Sequence, residues 1–364
     1  MFNFSRQLTD DNNLTFLKAE NLTGNTTDNG DQVTGPTWAF VPAYYVVIAS
    51  LSFLTNGAVM AIFFSNPSLR TPFNIYLINL VTANFLYACI ESPADIINNL
   101  YSGWWLGSAY CSVYQYGTYM LEAGIRVCHT LITVNRLWAV IWPHSYQQNH
   151  RKWTAYLICL GGWVYVHLNL LPGYILDILY YRLPLLVNTC YLNTDAQWQW
   201  LLAMQVLVYG MALFVMVGSY PVIWYYRRKR KKIVRPSATR SSSRKIRVSA
   251  YRFTESVNQS RQITSLELSA DGVDGTASGR PAAKKQSHGF TILTVLTCGV
   301  LICWTPILCY YTVTIFIQIE NRVYLEVAVV LFSMQSMVDP ILFVCTVPGL
   351  REAFRKIWNN SNSQ

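Results

Sequence analysis

The sequence predicts an all-α membrane protein: a bundle of seven transmembrane helices, followed by a short amphipathic helix on the cytoplasmic side. Three observations lead there. Of 364 residues, 52% are hydrophobic and only 13% charged, against about 25% charged in an ordinary soluble domain. Seven stretches each supply the roughly 20 apolar residues that a helix needs to cross a bilayer. Aromatics are abundant, with 12 Trp and 24 Tyr, which suits the two membrane–water interfaces.

Taken in order, residues 1–38 form a polar tail with Asn-X-Ser/Thr sequons at Asn3, Asn13, Asn21 and Asn25, each a candidate glycosylation site. The tail lacks the apolar core of a cleavable signal peptide. The membrane domain occupies 39–347. Its spans are expected at Val41–Phe64, Pro72–Ile97, Cys111–Ile141, Trp153–Leu176, Trp198–Tyr226, Phe290–Ile319 and Val323–Val347. Pro93, Pro172, Pro306 and Pro340 fall inside spans, where neighbouring helices can satisfy the carbonyls they free. Within this domain, 229–286 reads as a disordered basic third intracellular loop. It starts in a run of Lys and Arg and turns rich in Ser, Thr, Gly and Arg, too polar to build a core. Its basic start suits anionic lipid, and Ser241, Ser242 and Ser243 are candidate kinase sites, although a plain solvated linker fits as well. Residues 348–364 carry apolar positions at helical spacing with basic residues between them, as in an amphipathic helix lying on the inner leaflet, and then a short tail.

An odd number of spans puts the termini on opposite sides, and two signals place the N-terminus outside. Glycosylation of the sequons requires an extracellular tail. All but five of the 28 Lys and Arg fall at the inner ends, loops and tail in this topology; Arg6, Lys18, Arg182 and Arg322 lie outside and Arg126 within the membrane. The net charge of +10 therefore belongs to the membrane surface. It does not mark a nucleic-acid partner.

Motifs on these spans carry a resemblance. Asn56-Gly-Ala-Val59, Asn79-Leu-Val-Thr-Ala-Asn84, Trp104-Trp-Leu-Gly107 before Cys111, and Asn135-Arg136-Leu137 with Pro143 seven residues after the Arg follow one another on the first three helices. Trp163, Tyr220, Cys303-Trp304-Thr305-Pro306 and Asp339-Pro340-Ile-Leu-Phe343 complete the set. Each is weak alone. In this order, with 25 residues from Cys111 to Arg136, they resemble the rhodopsin-like family of G-protein-coupled receptors over nearly all of 40–358. The resemblance implies a plasma-membrane receptor that signals to heterotrimeric G proteins by sixth-helix movement, with arrestin and receptor kinases as further partners and no cofactor. It also implies a disulfide between Cys111 and Cys190; the other seven Cys lie within spans and suit small apolar packing.

The resemblance assigns switch roles, and the chain departs from several. Asn135 stands for the usual Asp beside Arg136, and Gln286 for the usual acid on the sixth helix; both departures remove restraint on Arg136 and imply raised basal signalling. Hydrogen bonds from those two amides are the alternative. Asn84 and Asp339 exchange the usual acid and amide of the second and seventh helices, as in gonadotropin-releasing-hormone receptors. Asp339 is then the expected tuner of activation and a weak sodium candidate, since Ile125 replaces the usual third-helix Ser. Phe343 replaces a Tyr whose hydroxyl would reach Tyr220, and Val300 replaces a Phe beneath Trp304. Trp304, Pro306 and Pro340 keep the helix pivots.

A ligand is expected between the outer halves of the third, fifth, sixth and seventh helices. Thr118 stands where amine receptors carry Asp, and Ser333 where light receptors carry the retinal-linking Lys. Glu122 and Arg126 are one turn apart in the favourable order; either they neutralise each other or a ligand competes for Glu122. With Glu91, Asp95 and Glu326 nearby, a cationic peptide or amine is the expected ligand. Tyr119, Trp304, Tyr310 and Tyr311 are aromatic candidates for its pocket. His129 and His167 read as isolated. The rival functions are a non-signalling or scavenger receptor and, further off, a membrane transporter, for which no internal repeat is visible. No metal cluster, nucleophile motif or phosphate loop suggests an enzyme.

Overall fold

Seven long helices and three short ones account for nearly all the structure, a computed structural model that describes residues 35–185, 189–193, 196–234, 281–317 and 321–361. The spanning helices are Phe40–Ser65, Pro72–Leu100, Ser108–Ile141, Lys152–Tyr181, Trp198–Val234 (in three consecutive segments), Pro281–Ile317 and Arg322–Thr346. Thr71 and Asn321 cap the second and seventh by accepting the backbone N–H of Asn74 at 3.3 Å and of Tyr324 at 3.0 Å. Polar side chains on lipid-facing turns bond within their own helix: Ser50 donates to the Val46 carbonyl and Thr55 to the Leu51 carbonyl, both at 2.8 Å. Lipid offers no other partner.

Six of the spanning helices are long and apolar enough to cross a membrane on composition alone. The third, at 34 residues, is long enough but too polar. It packs against the second, fourth, fifth and sixth helices and buries Gln115, Thr118, Glu122, Arg126, His129, Thr133 and Asn135. Protein surrounds it, so protein has to satisfy it. Outward, the other helices expose Phe214, Leu168, Val164 and Leu157, an apolar girdle expected of a lipid-facing surface.

Close approach decides where small residues sit. A Cβ on Gly124 would collide with the ring of Trp163, and one on Gly117 with the carboxyl of Glu91. Glycine thus lets the third helix meet both the fourth and the second. The indole of Trp163 goes on to donate to Asn79 Oδ1 at 3.0 Å. The inner half of the bundle closes around Tyr76, Leu77, Leu80, Ile132, Phe343 and Leu350.

The structure extends several expected boundaries. The fifth helix runs to Val234 and the sixth begins at Pro281, so both ends of the segment 229–286 are helical rather than disordered. Residues 235–280, with Ser241–Ser243, and the sequons at Asn3, Asn13, Asn21 and Asn25 lie outside the described residues. The fourth helix continues to Tyr181 through a widened π-turn, Asp177–Tyr181, and the second carries another at Tyr87–Glu91, ending two residues before Pro93. A short helix, Pro143–Asn149, forms in the second inner connection, where none was expected. The C-terminal helix Pro348–Ser361 buries Leu350 but leaves Phe354, Ile357 and Trp358 exposed on an apolar face. Of the free cysteines, Cys128, Cys159 and Cys303 are buried as packing residues; Cys89, Cys298, Cys309 and Cys345 face outward.

Candidate functional site

The outer end is tied down. Cys111 and Cys190 are disulfide-bonded, with Cα atoms 5.7 Å apart across 79 residues of chain. Asn98 holds the same loop, accepting the Cys190 N–H at 2.8 Å and donating to its carbonyl at 3.3 Å. Trp104 stacks on Tyr114 with ring centres 5.3 Å apart and donates to the Gly107 carbonyl at 2.9 Å. Asp95 accepts the hydroxyls of Tyr114 at 2.6 Å and Tyr87 at 2.8 Å. Glu91 accepts the hydroxyl of Thr118 at 2.8 Å. These two acids join the second helix to the third. Neither lines the central cavity.

One level deeper, Glu122 and Arg126 form a loose ion pair at 3.6 Å. Both are at most 8% exposed. The guanidinium lies against three rings, with centres 4.2 Å away at Tyr209, 4.8 Å at Phe332 and 5.4 Å at Trp304. Two hollows flank the pair. One extends toward the first, second and seventh helices, past Ser52, Asn84, Ser92 and Gln335. The other extends toward the fifth and sixth, past Gln205, Tyr209, Leu308 and Tyr311. Tyr45, Glu122, Arg126, Trp304 and Phe332 line both.

Beneath Trp304 lies a buried polar core. His129 stacks edge-on against its indole at 5.0 Å. The imidazole Nε2 meets Asp339 Oδ2 at 2.9 Å, and the Asn84 amide donates to the same oxygen at 3.3 Å. Gln335 donates to Asp339 Oδ1. All four side chains are buried. Both Asp339 oxygens are thus already in contact with protein polar groups.

At the inner end, Asn135 turns away from Arg136. Its amide donates to His150 Nε2 at 2.8 Å and its carbonyl accepts the Tyr146 hydroxyl at 3.2 Å. The guanidinium of Arg136 lies over the ring of Phe73, 3.5 Å from its centre. Gln286 sits on the sixth helix. Tyr220 faces Thr294 and Thr297 of the sixth helix. Phe343 is sealed in the inner apolar cluster and Val300 packs in the cluster around Trp304. Tyr324 of the seventh helix donates to the Pro306 carbonyl at 3.1 Å, and Pro340 continues the seventh helix beside Asp339.

Of the expected ligand residues, Glu122, Trp304 and Tyr311 line the central hollows. Thr118 and Tyr119 line a small outer hollow beside Cys190. Glu91 and Asp95 accept from threonine and tyrosine hydroxyls, and Glu326 lies near the start of the seventh helix, one turn from Val329 of the second hollow. Tyr310 stacks on Tyr324 at 5.9 Å. His129 is not isolated, as the sequence suggested, but central; its approach to Asp339 joins residues 210 apart. His167 pairs with Tyr116 at 2.5 Å. Sequence reasoning missed Tyr209, Gln205, Phe332 and Tyr45 as lining residues, because aromatics at helical spacing look the same in a wall and in a core. For His129 a signal existed: a second ionisable residue one turn below Arg126 on a membrane helix.

Comparisons with known proteins bear on the whole. A family model described as "7 transmembrane receptor (rhodopsin family)" matches residues 55–343. The chain is 26% identical over 204 residues to melatonin receptor type 1B of Rattus norvegicus, covering 54% of this chain and 56% of that one. It is 42% identical over 80 residues to opsin Rh1 of Calliphora vicina, 22% of each chain. It is 28% identical over 155 residues to proteinase-activated receptor 3 of Bos taurus, covering 42% of this chain and 40% of that one. The chain thus spans about a fifth to about half the length of the curated relatives it matches.

Proposed function

The chain belongs to the rhodopsin family of seven-transmembrane receptors, a multi-pass membrane family without enzymatic activity, and we propose that it is a plasma-membrane receptor passing an extracellular ligand signal to heterotrimeric G proteins. One observation carries this reading: Trp304 lines both central hollows and stacks on His129, the imidazole bound to Asp339. A ligand that moves the indole moves the polar core joining the third and seventh helices. Pro306, two residues on, supplies the pivot for the sixth helix. The N-terminal tail lies outside in this reading and carries sugar at its sequons, and the C-terminal helix rests its exposed Phe354, Ile357 and Trp358 on the inner leaflet. Arrestin and receptor kinases act on the inner face, where Ser241–Ser243 offer hydroxyls.

The similarity to an opsin does not make this a light receptor. A retinal Schiff base needs an amine, and Ser333 supplies a hydroxyl, which donates to the Val329 carbonyl at 3.0 Å. The cationic-ligand expectation loses Glu91 and Asp95 to internal hydrogen bonds, which leaves Glu122 and its partner.

Guanine-nucleotide exchange tests the proposal. Reconstituted full-length protein should accelerate exchange on at least one G-protein family, and Trp304→Ala should abolish the gain at equal folded amount. A second reading, a non-signalling receptor, draws on Phe343, whose ring is sealed among Tyr76, Leu77 and Leu350 with no hydroxyl to offer. Absence of exchange across all G-protein families, with the protein folded and disulfide-bonded, would favour it.

A further inference from the structure

Arg126 carries five N–H donors into a buried site. Among the described residues its guanidinium meets three ring faces and one carboxylate, at 3.6 Å, beyond hydrogen-bond length. Nη1 of Arg126 and Oε1 of Glu122 are both buried without a hydrogen-bond partner. A buried charge left short of partners is costly. The pair is therefore poised to trade its long contact for shorter ones.

Charge balance decides which ligand can offer them. As it stands the pair is neutral. A ligand bearing only an anion would leave the site net negative, and one bearing only a cation would leave it net positive, deep in a low-dielectric bundle. A zwitterion leaves it neutral and satisfies both groups. Its carboxylate matches the fork of the guanidinium, and its ammonium takes the unpartnered Glu122 oxygen.

The walls define the rest of the molecule. Tyr209, Leu213, Ile307 and Leu308 line the lobe toward the fifth and sixth helices. The lobe lies between helices of the bundle, a usual place for a small-ligand site. Resting on the reading that these hollows are the ligand site, we propose that the receptor binds a small zwitterion of the amino-acid type, with its carboxylate on Arg126, its ammonium on Glu122 and an apolar side chain in this lobe.

Four probes of one shape test this on the purified, full-length protein by thermal stabilisation: L-phenylalanine, N-acetyl-L-phenylalanine, L-phenylalaninamide and N-acetyl-L-phenylalaninamide, with the same set built on tryptophan and leucine. At least one parent zwitterion should raise the melting temperature, with half-maximal concentration at least about tenfold below that of its two singly charged analogues, the loss expected for one charge-assisted hydrogen bond. Glu122→Gln should remove the preference over the N-acetyl form, and Arg126→Gln the preference over the amide. Stabilisation by the N-acetyl acids alone, by the amides alone, equally by all four, or by none of the parents overturns the proposal. The wild-type comparison holds even where a variant fails to fold. Nucleotide exchange is measured separately, so zwitterion binding without exchange would sink the signalling role and leave the ligand class standing.

Discussion

Arg136 lies over a phenylalanine ring, and its neighbour Asn135 bonds to the inner loop instead. Among the described residues nothing anionic restrains the guanidinium, so ligand-independent activity should be high. Asn135→Asp supplies the missing charge. Basal nucleotide exchange should fall several-fold in that variant, at matched surface amount; an unchanged or higher rate would sink the idea. A second expectation concerns Asp339, whose oxygens are taken by His129, Asn84 and Gln335. Replacing sodium by choline at constant ionic strength should leave melting temperature and basal exchange unaltered. His129→Leu should remove one of the three groups on the carboxylate and cost about 1–3 kcal/mol, the penalty for losing a buried hydrogen-bond partner. His129→Leu with Asp339→Leu should recover much of that loss in a thermal melt. The sequence showed Asp339 and its exchange with Asn84, but not the donors around it. Those depend on rotation of the third helix against the seventh, which no single motif encodes.

At the scale of elements, the inner end of the third helix and the short helix Pro143–Asn149 form one aromatic unit. His150 stacks on Tyr146 with ring centres 4.2 Å apart, lies 6.0 Å from the Tyr76 ring and 5.9 Å from that of Trp138, and accepts from Asn135. Burial, and then the Arg136 charge, push its pKa down to about 4. Because this lies below the unfolded value of about 6.5, the neutral imidazole's contribution is fully present above pH 6.5. It is lost as pH falls toward 4. Melting temperature should thus drop between pH 7.5 and 5 by more in the wild type than in His150→Phe, which keeps the ring and removes the titrating nitrogen. Equal drops would show that His150 takes no part. Six of the spanning helices were legible because apolar length is a property of each segment alone; the third is too polar for that, and its motifs marked it. The short loop helix was not, since its seven residues carry no periodic signal and its order comes from contacts with the third helix. The inward extension of the fifth and sixth helices was hidden because charged residues read as loop whether or not a helix carries them.

Across the whole molecule, the disulfide and the Asn98 bonds fix the outer loop over the bundle. Replacing both Cys111 and Cys190 by Ala should lower stability by about 2–4 kcal/mol, read as a lower thermal midpoint of the purified protein; an unchanged midpoint would show that Asn98 alone suffices. The family was legible end to end from ordered motifs, whereas the ligand chemistry was not. Acids at the outer ends of helices suggested a cation, but which carboxylates already accept hydrogen bonds depends on packing that no segment encodes. The polar third helix has one more consequence, for biogenesis. A translocon that sorts nascent segments by apolarity would accept the second and fourth helices on their own merits, while the third would gain little by entering lipid alone. It should leave the channel only alongside its neighbours, so a chain stopped just after Ile141 should insert poorly and one stopped after Tyr181 should insert correctly.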